Sequence, residues 1–221
     1  MPNVLKGFLT TVVAIVLGII AAIVMNAVAE QTLQMGTALS IGLLFGLLYG
    51  LEAGILLSYE LDSGVGWLKL LIDFTWSLPN TIFGFIFGNL IYIFFGSPSQ
   101  DFSKDRGWIA FKPRGGSGFG NDVLQTLGTV NLGGEGQHEL MHVLQARLFG
   151  PLYLPIFAAN YAINFLIQVL FTCTVGAILY YTKLRTTAYL RPPSRSAVSG
   201  FFGWIYYSNL FELWAYSAGN P

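Results

Sequence analysis

Cysteine, histidine and charge are all scarce in this chain of 221 residues. A single cysteine, Cys173, excludes an internal disulfide framework and any cysteine-built zinc or iron–sulfur site. Charged residues make up 10% of the sequence, against roughly 25% in a soluble domain. Eleven basic and eleven acidic side chains cancel, so there is no basic field to hold nucleic acid and no acidic tail. What is there instead is apolar: 54% of the residues, with a mean hydropathy of +0.60. Long uncharged runs in such a composition predict one membrane-embedded domain over residues 1–221.

Residues 8–29 carry no charge. As a helix they would measure about 33 Å, enough for a hydrocarbon core of about 30 Å. Ala27-Val28-Ala29 resembles a signal-peptide cleavage site, but the apolar run exceeds the usual core of about 7–15 residues, so an uncleaved first helix is expected. In residues 37–59, Ala38, Gly42, Gly46, Gly50, Gly54 and Ser58 recur every four residues. That strip of small side chains predicts close helix packing within the chain rather than a dimer seam. Glu52, deep in this run, is either functional or a protonated packing residue bonded to a neighbouring helix.

Residues 67–96 are apolar but broken at Ser77-Leu78-Pro79-Asn80, which predicts a kinked span or an interfacial helix followed by a span. Asp73 precedes the break and is expected beside a surface. Composition then changes: residues 97–136 hold Asp101, Lys104, Asp105, Arg106, Lys112, Arg114 and Asp122, and are expected in water or lining a polar cavity. Within this insert Gly107–Phe111 and Val123–Leu132 have β-like content. The run Gly115-Gly116-Ser117-Gly118 lacks the Gly-Lys-Ser/Thr ending of a phosphate loop and reads as a flexible hairpin connection.

The last clear span is 152–182, where Asn160, Asn164, Gln168 and Thr172 share one helix face that must look inward. Lys183, Arg185, Arg191 and Arg195 follow without an acid, which places that loop in the cytoplasm. The tail from Phe201 to Pro221 is too short and too polar at Asn209 and Glu212 for an ordinary span. The expected fold is therefore an all-α polytopic membrane protein with a small β-like insert over 97–136. About four transmembrane helices are joined by a helix around His138 and a re-entrant C-terminal helix, in what reads as a multi-pass protein of a prokaryotic cytoplasmic (inner) membrane.

Both histidines of the chain fall in His138-Glu139-Leu140-Met141-His142, an H-E-x-x-H motif. On a helix the two imidazoles are one turn apart on one face and can reach one Zn2+ ion, with Glu139 placed to take a proton from water. The blander reading is a helix whose histidines are satisfied by neighbouring polar groups. Catalytic zinc usually takes three protein ligands. With no third histidine, the third must be a carboxylate. Glu212, isolated in an aromatic segment where a bare charge would be costly, is the best candidate, with Glu52, Asp73 and Glu135 as rivals.

The stretch His138–Gln145, followed by Leu148-Phe149-Gly150-Pro151, resembles the active-site helix of gluzincin-type membrane metallopeptidases. The resemblance implies that a downstream glutamate in a Glu-x-x-Ala pattern is the third zinc ligand, and Glu212-Leu213-Trp214-Ala215 matches it. It covers residues 124–151 and 208–216. One position departs: Tyr216 stands where some gluzincins carry an aspartate that orients a histidine. The site-two intramembrane proteases use a downstream aspartate ligand, and none follows Asp122 here.

His142 precedes the 152–182 span and Glu212 follows it, so a shared zinc requires the chain to return through part of the bilayer between Pro193 and Glu212. The face Asn160–Thr172 is then expected to line a water path to the metal. The activity expected is zinc-dependent endopeptidase cleavage of a peptide or membrane-protein substrate, with Glu139 as general base. One of the β-like stretches (108–111 or 123–131) is a candidate for pairing with an extended substrate. Tyr206, Tyr207 and Tyr216 are candidate oxyanion donors, though each equally suits a membrane interface. The alternatives are a zinc-binding inactive membrane scaffold, a hydrolase of another bond such as a lipid amide, and a small transporter subunit using Glu52 and the amide face.

Overall fold

Small residues decide how the chain begins. Helices α1 (Asn3–Val28) and α2 (Met35–Ile55) lie antiparallel along the glycine strip. A Cβ added at Gly42 would stand 2.5 Å from the Gly18 carbonyl oxygen, and one at Gly54 2.5 Å from that of Gly7. The strip on α2 thus meets a matching strip on α1, and the close packing expected within one chain forms. At Gly46 the added Cβ would stand 2.5 Å from the Ala14 carbonyl oxygen. Gly46→Ala should therefore force backbone away from backbone at a cost of about 1–3 kcal/mol, read as a lower thermal midpoint in detergent. An unchanged midpoint would mean that the two helices separate without penalty.

The computed structural model of the protein describes residues 1–114, 125–133, 136–193 and 200–219. It is mostly helical with one small sheet, and it divides into two compact units, Met1–Pro151 and Leu152–Asn220. Among the described residues, three helical segments are long and apolar enough to cross a membrane: Asn3–Val28, Met35–Ile55 and one within Gln137–Tyr181. A fourth is counted if a bent pair is taken as one span.

That bent pair is the interrupted run of the first unit. Helix α3 (Gly64–Phe74) and the run Leu78–Tyr92 meet at 82°. The second arm comprises α4 (Leu78–Phe83), a π-helical turn (Gly84–Gly88) and α5 (Asn89–Tyr92), with Pro79 in the first turn of α4 where its missing N–H costs nothing. The break does more than kink the chain, because it caps the motif helix α7 (Gln137–Phe149). Ser77 Oγ donates to the Ala146 carbonyl at 3.0 Å, and Asn80 Nδ2 donates to the carbonyls of Ala146 (3.1 Å) and Gly150 (2.7 Å). Trp76 Nε1 donates to the Leu148 carbonyl at 3.2 Å. Carbonyls that the last helical turn leaves without partners are thereby satisfied. Gly150 closes the helix at φ +54°, where an added Cβ would lie 2.3 Å from the Trp76 indole.

The insert forms a four-stranded sheet of order β1-β2-β4-β3, with β1 Gly96–Pro98, β2 Ile109–Pro113, β3 Gln125–Leu127 and β4 Val130–Leu132. A short helix, α6 (Gln100–Ser103), joins β1 to β2. Two expectations are corrected here. The β-like stretches are not the two arms of one hairpin: β2 pairs with β4 in parallel, and the hairpin is β3–β4. Its two-residue turn has Gly128 first at φ +55°, the pattern of a type II′ turn. Nor does the whole insert lie in water. Ile109, Phe111, Val130 and Leu132 share one core with Tyr49, Tyr59, Leu70, Phe74 and Tyr92, because β2 and β4 are the central strands. The run Gly115–Gly118 lies outside the described residues.

In the second unit, α8 (Tyr153–Phe171) continues through a π-helical turn (Thr172–Gly176) into α9 (Ala177–Tyr181). Two short helices, α10 (Phe201–Tyr207) and α11 (Leu210–Ala218), form the tail. The amide face of α8 looks inward as expected, and its amides bond to backbone. Asn160 Oδ1 accepts from the Leu210 N–H at 2.8 Å, and Asn164 Nδ2 donates to the Ile205 carbonyl at 3.2 Å. Gln168 Nε2 donates to the carbonyls of Leu190 and Phe201, both at 3.0 Å, and its Oε1 accepts from the Leu190 N–H at 2.9 Å. Leu190 lies outside any helix or strand, and Phe201, Ile205 and Leu210 belong to two short helices, whose terminal turns leave N–H and C=O groups without helical partners.

Candidate metal centre

Helix α7 buries one face, carrying His138, Glu139, His142, Val143, Gln145, Ala146 and Arg147. The i, i+4 spacing brings the two imidazoles together edge to face, with centroids 4.8 Å apart and ring planes at 82°. Their Nε2 atoms face each other at 3.1 Å. Two nitrogens bound to one tetrahedral zinc at about 2.0–2.1 Å would be about 3.3–3.4 Å apart. The pair is therefore spaced much as two nitrogens sharing one tetrahedral ion would be.

The tautomer also suits a metal. His142 Nδ1 lies 3.0 Å from Gln145 Oε1, and an amide oxygen only accepts, so Nδ1 carries the hydrogen. That leaves the His142 Nε2 lone pair directed at His138. Gln145, fully buried one turn after His142, plays the part that carboxylates and carbonyls play behind metal-bound histidines. The motif reading did not single it out, although i, i+3 spacing from a histidine is a visible signal.

Glu139 is 3% exposed and accepts at Oε2 from the Thr126 hydroxyl on β3 at 2.6 Å. Asn131 on β4 donates to Thr126 Oγ1 at 2.8 Å. Neither residue was visible as a site residue from sequence, since their relation to Glu139 depends on strand pairing.

Glu212 belongs to the second unit, in the first turn of α11, and is 4% exposed. Asn209 caps that helix by accepting from the Phe211 N–H at 2.9 Å. With Asn160 holding Leu210, the start of the helix is fixed from two sides. The hydroxyls of Tyr161 and Tyr206 hydrogen-bond the Glu212 carboxylate, and Tyr216 bonds in turn to Tyr206 and Tyr207. Two tyrosines thus hold the glutamate, and one of them, Tyr161, was missing from the sequence reading.

The rival carboxylates have other occupations. Glu52 Oε2 accepts from Asn89 Nδ2 at 2.8 Å, the helix-to-helix bond that its packing reading anticipated. Asp73 is not beside a surface: it is fully buried and paired with Arg147, because the bend after α3 turns its carboxylate toward α7. Glu135 lies outside the described residues. His138 and His142 in the first unit and Glu212 in the second are two imidazoles and a carboxylate, each buried, residue types that bind zinc. Comparison with protein-family models, with curated proteins and with solved structures finds no match.

Proposed function

We propose that this protein is an integral-membrane zinc endopeptidase of gluzincin type, with His138, His142 and Glu212 as ligands and Glu139 as general base. The reading rests on one observation above the others: two buried imidazoles on one helix whose Nε2 atoms face each other at 3.1 Å, with the buried Glu139 on the same helix. The long apolar helices support a multi-pass position in a bilayer, the cytoplasmic membrane if the source is a prokaryote.

A zinc ion held there supplies positive charge to polarise a scissile carbonyl and to acidify a water. The Glu139 carboxylate accepts the proton of the attacking water and delivers it to the leaving amine. Gln145 keeps the hydrogen of His142 on Nδ1, so that Nε2 stays a ligand atom. Of the two stretches considered for substrate pairing, β2 has neighbours on both sides, whereas β3 is an edge of the sheet among the described residues. Strand β3 is therefore the place where an extended peptide substrate adds.

The test is metal content of the detergent-purified protein by mass spectrometry, wild type beside His138→Ala and Glu212→Ala. About one zinc per chain is expected in the wild type, falling at least tenfold in each variant. Zinc kept in Glu212→Ala would move the third ligand to another carboxylate. No zinc in the wild type after the metal is added back would overturn the reading.

A further inference from the structure

The hairpin β3–β4 sits against α7 by more than its apolar side chains. Thr126 and Asn131 are direct register partners across the antiparallel pair, so their side chains stand on the same face of the sheet. Asn131 is fully buried and Thr126 half-buried. Asn131 Nδ2 donates to Thr126 Oγ1 at 2.8 Å, and Thr126 Oγ1 lies 2.6 Å from Glu139 Oε2. A threonine hydroxyl has one hydrogen. With Asn131 using its acceptor side, that hydrogen is directed at Glu139.

The hairpin itself has little freedom to move. Gly128 is pressed so closely to α4 that an added Cβ would lie 2.0 Å from the Asn80 carbonyl oxygen. In the π-helical turn, a Cβ at Gly84 would lie 2.1 Å from that of Leu127. Thr126 is therefore mounted on a fixed element and does not follow Glu139 if the carboxylate swings.

We infer that Thr126, with its hydrogen directed by Asn131, is a positioning residue that locks the rotation of the Glu139 carboxylate for proton transfer. The inference rests on the peptidase reading, since it gives Glu139 a base's task. A carboxylate tied at one oxygen keeps the other in one place, and a general base works only within hydrogen-bond reach of the proton it takes. Asn131 acts through Thr126, one step further from the reacting atoms.

The test uses the full-length detergent-purified protein loaded with zinc and an extended fluorogenic peptide. Thr126→Val keeps the shape and removes the donor, whereas Thr126→Ser keeps the donor. Thr126→Val should lower kcat by about 10–100-fold with KM within about twofold, and zinc per chain should equal that of the wild type. Thr126→Ser should recover most of the lost kcat. Wild-type turnover with Thr126→Val unchanged would overturn this inference alone, and so would equal losses in the valine and serine variants. A wild type that holds zinc but cleaves nothing would overturn the peptidase reading, and the inference with it.

Discussion

Glu139→Gln is expected to lower kcat on a peptide substrate by about 10²–10⁴-fold and to leave zinc content unchanged. Glutamine keeps the length and shape of the side chain, and its amide oxygen still accepts from the Thr126 hydroxyl, which stands 2.6 Å from Glu139 Oε2 in the wild type. What it loses is the capacity to take a proton from the attacking water. The imidazoles are one residue before and three after, and Gln145 continues to hold His142 at 3.0 Å. Metal binding should therefore survive. Zinc mass spectrometry and single-turnover peptide cleavage, run on one preparation, separate the readings. Zinc present with no turnover in wild type or variant points to a scaffold, and turnover in the variant means that the base is elsewhere. Loss of zinc in the variant would show that Glu139 helps build the metal centre instead of serving it.

How much of this was legible in the sequence varies with the range of the interactions. The helices α1 and α2 follow from uncharged length, and their packing from the four-residue spacing of glycines, because both are properties of a local period. His138, Glu139 and His142 are legible for the same reason: i, i+4 spacing brings two side chains to one helix face wherever the helix lies. The parallel pairing of β2 with β4 was not legible, since nothing local distinguishes a hairpin from a crossover when the intervening segment is rich in glycine. Thr126 and Asn131 meet through the register of the β3–β4 hairpin, which was missed as well. The amide face of α8 was seen as a face, but its partners, the backbone at Leu190, Phe201, Ile205 and Leu210, lie 22 to 50 residues away. The interruption at Ser77–Asn80 read as a kink, and its second use as the cap of α7 bridges a separation of about 70 residues.

The largest stability effect should come from a pair that the sequence placed wrongly. Asp73, fully buried, receives Arg147 Nε on Oδ1 at 2.8 Å and Nη2 on Oδ2 at 2.7 Å, a two-pronged ion pair. Tyr59 adds a third bond, its hydroxyl donating to Asp73 Oδ2 at 2.6 Å. Burial pushes the Tyr59 phenol well above its ordinary range, and the Asp73 charge adds to this, so the hydroxyl stays a donor. With its hydrogen on Asp73, Tyr59 accepts from the Tyr49 hydroxyl at 2.6 Å, and Tyr49 in turn accepts from the Thr129 hydroxyl at 3.3 Å in the β3–β4 turn. Arg147 closes the other side by donating to the Gly107 carbonyl. The network thus ties the C-terminal half of α7 to the last turn of α3, to the segment just before β2 and to the hairpin that carries Thr126. Arg147→Met leaves a carboxylate buried without its cation, and should cost about 3–5 kcal/mol in unfolding free energy measured in detergent. Arg147→Lys should not rescue it, because one ammonium cannot reproduce the two parallel bonds. Adding Asp73→Asn to Arg147→Met removes the stranded charge and keeps an acceptor for Tyr59, so the double variant should recover more than half of the loss. If the two single losses simply add in the double variant, the destabilisation comes from lost packing and not from a stranded charge, since only charge coupling makes the second substitution restorative.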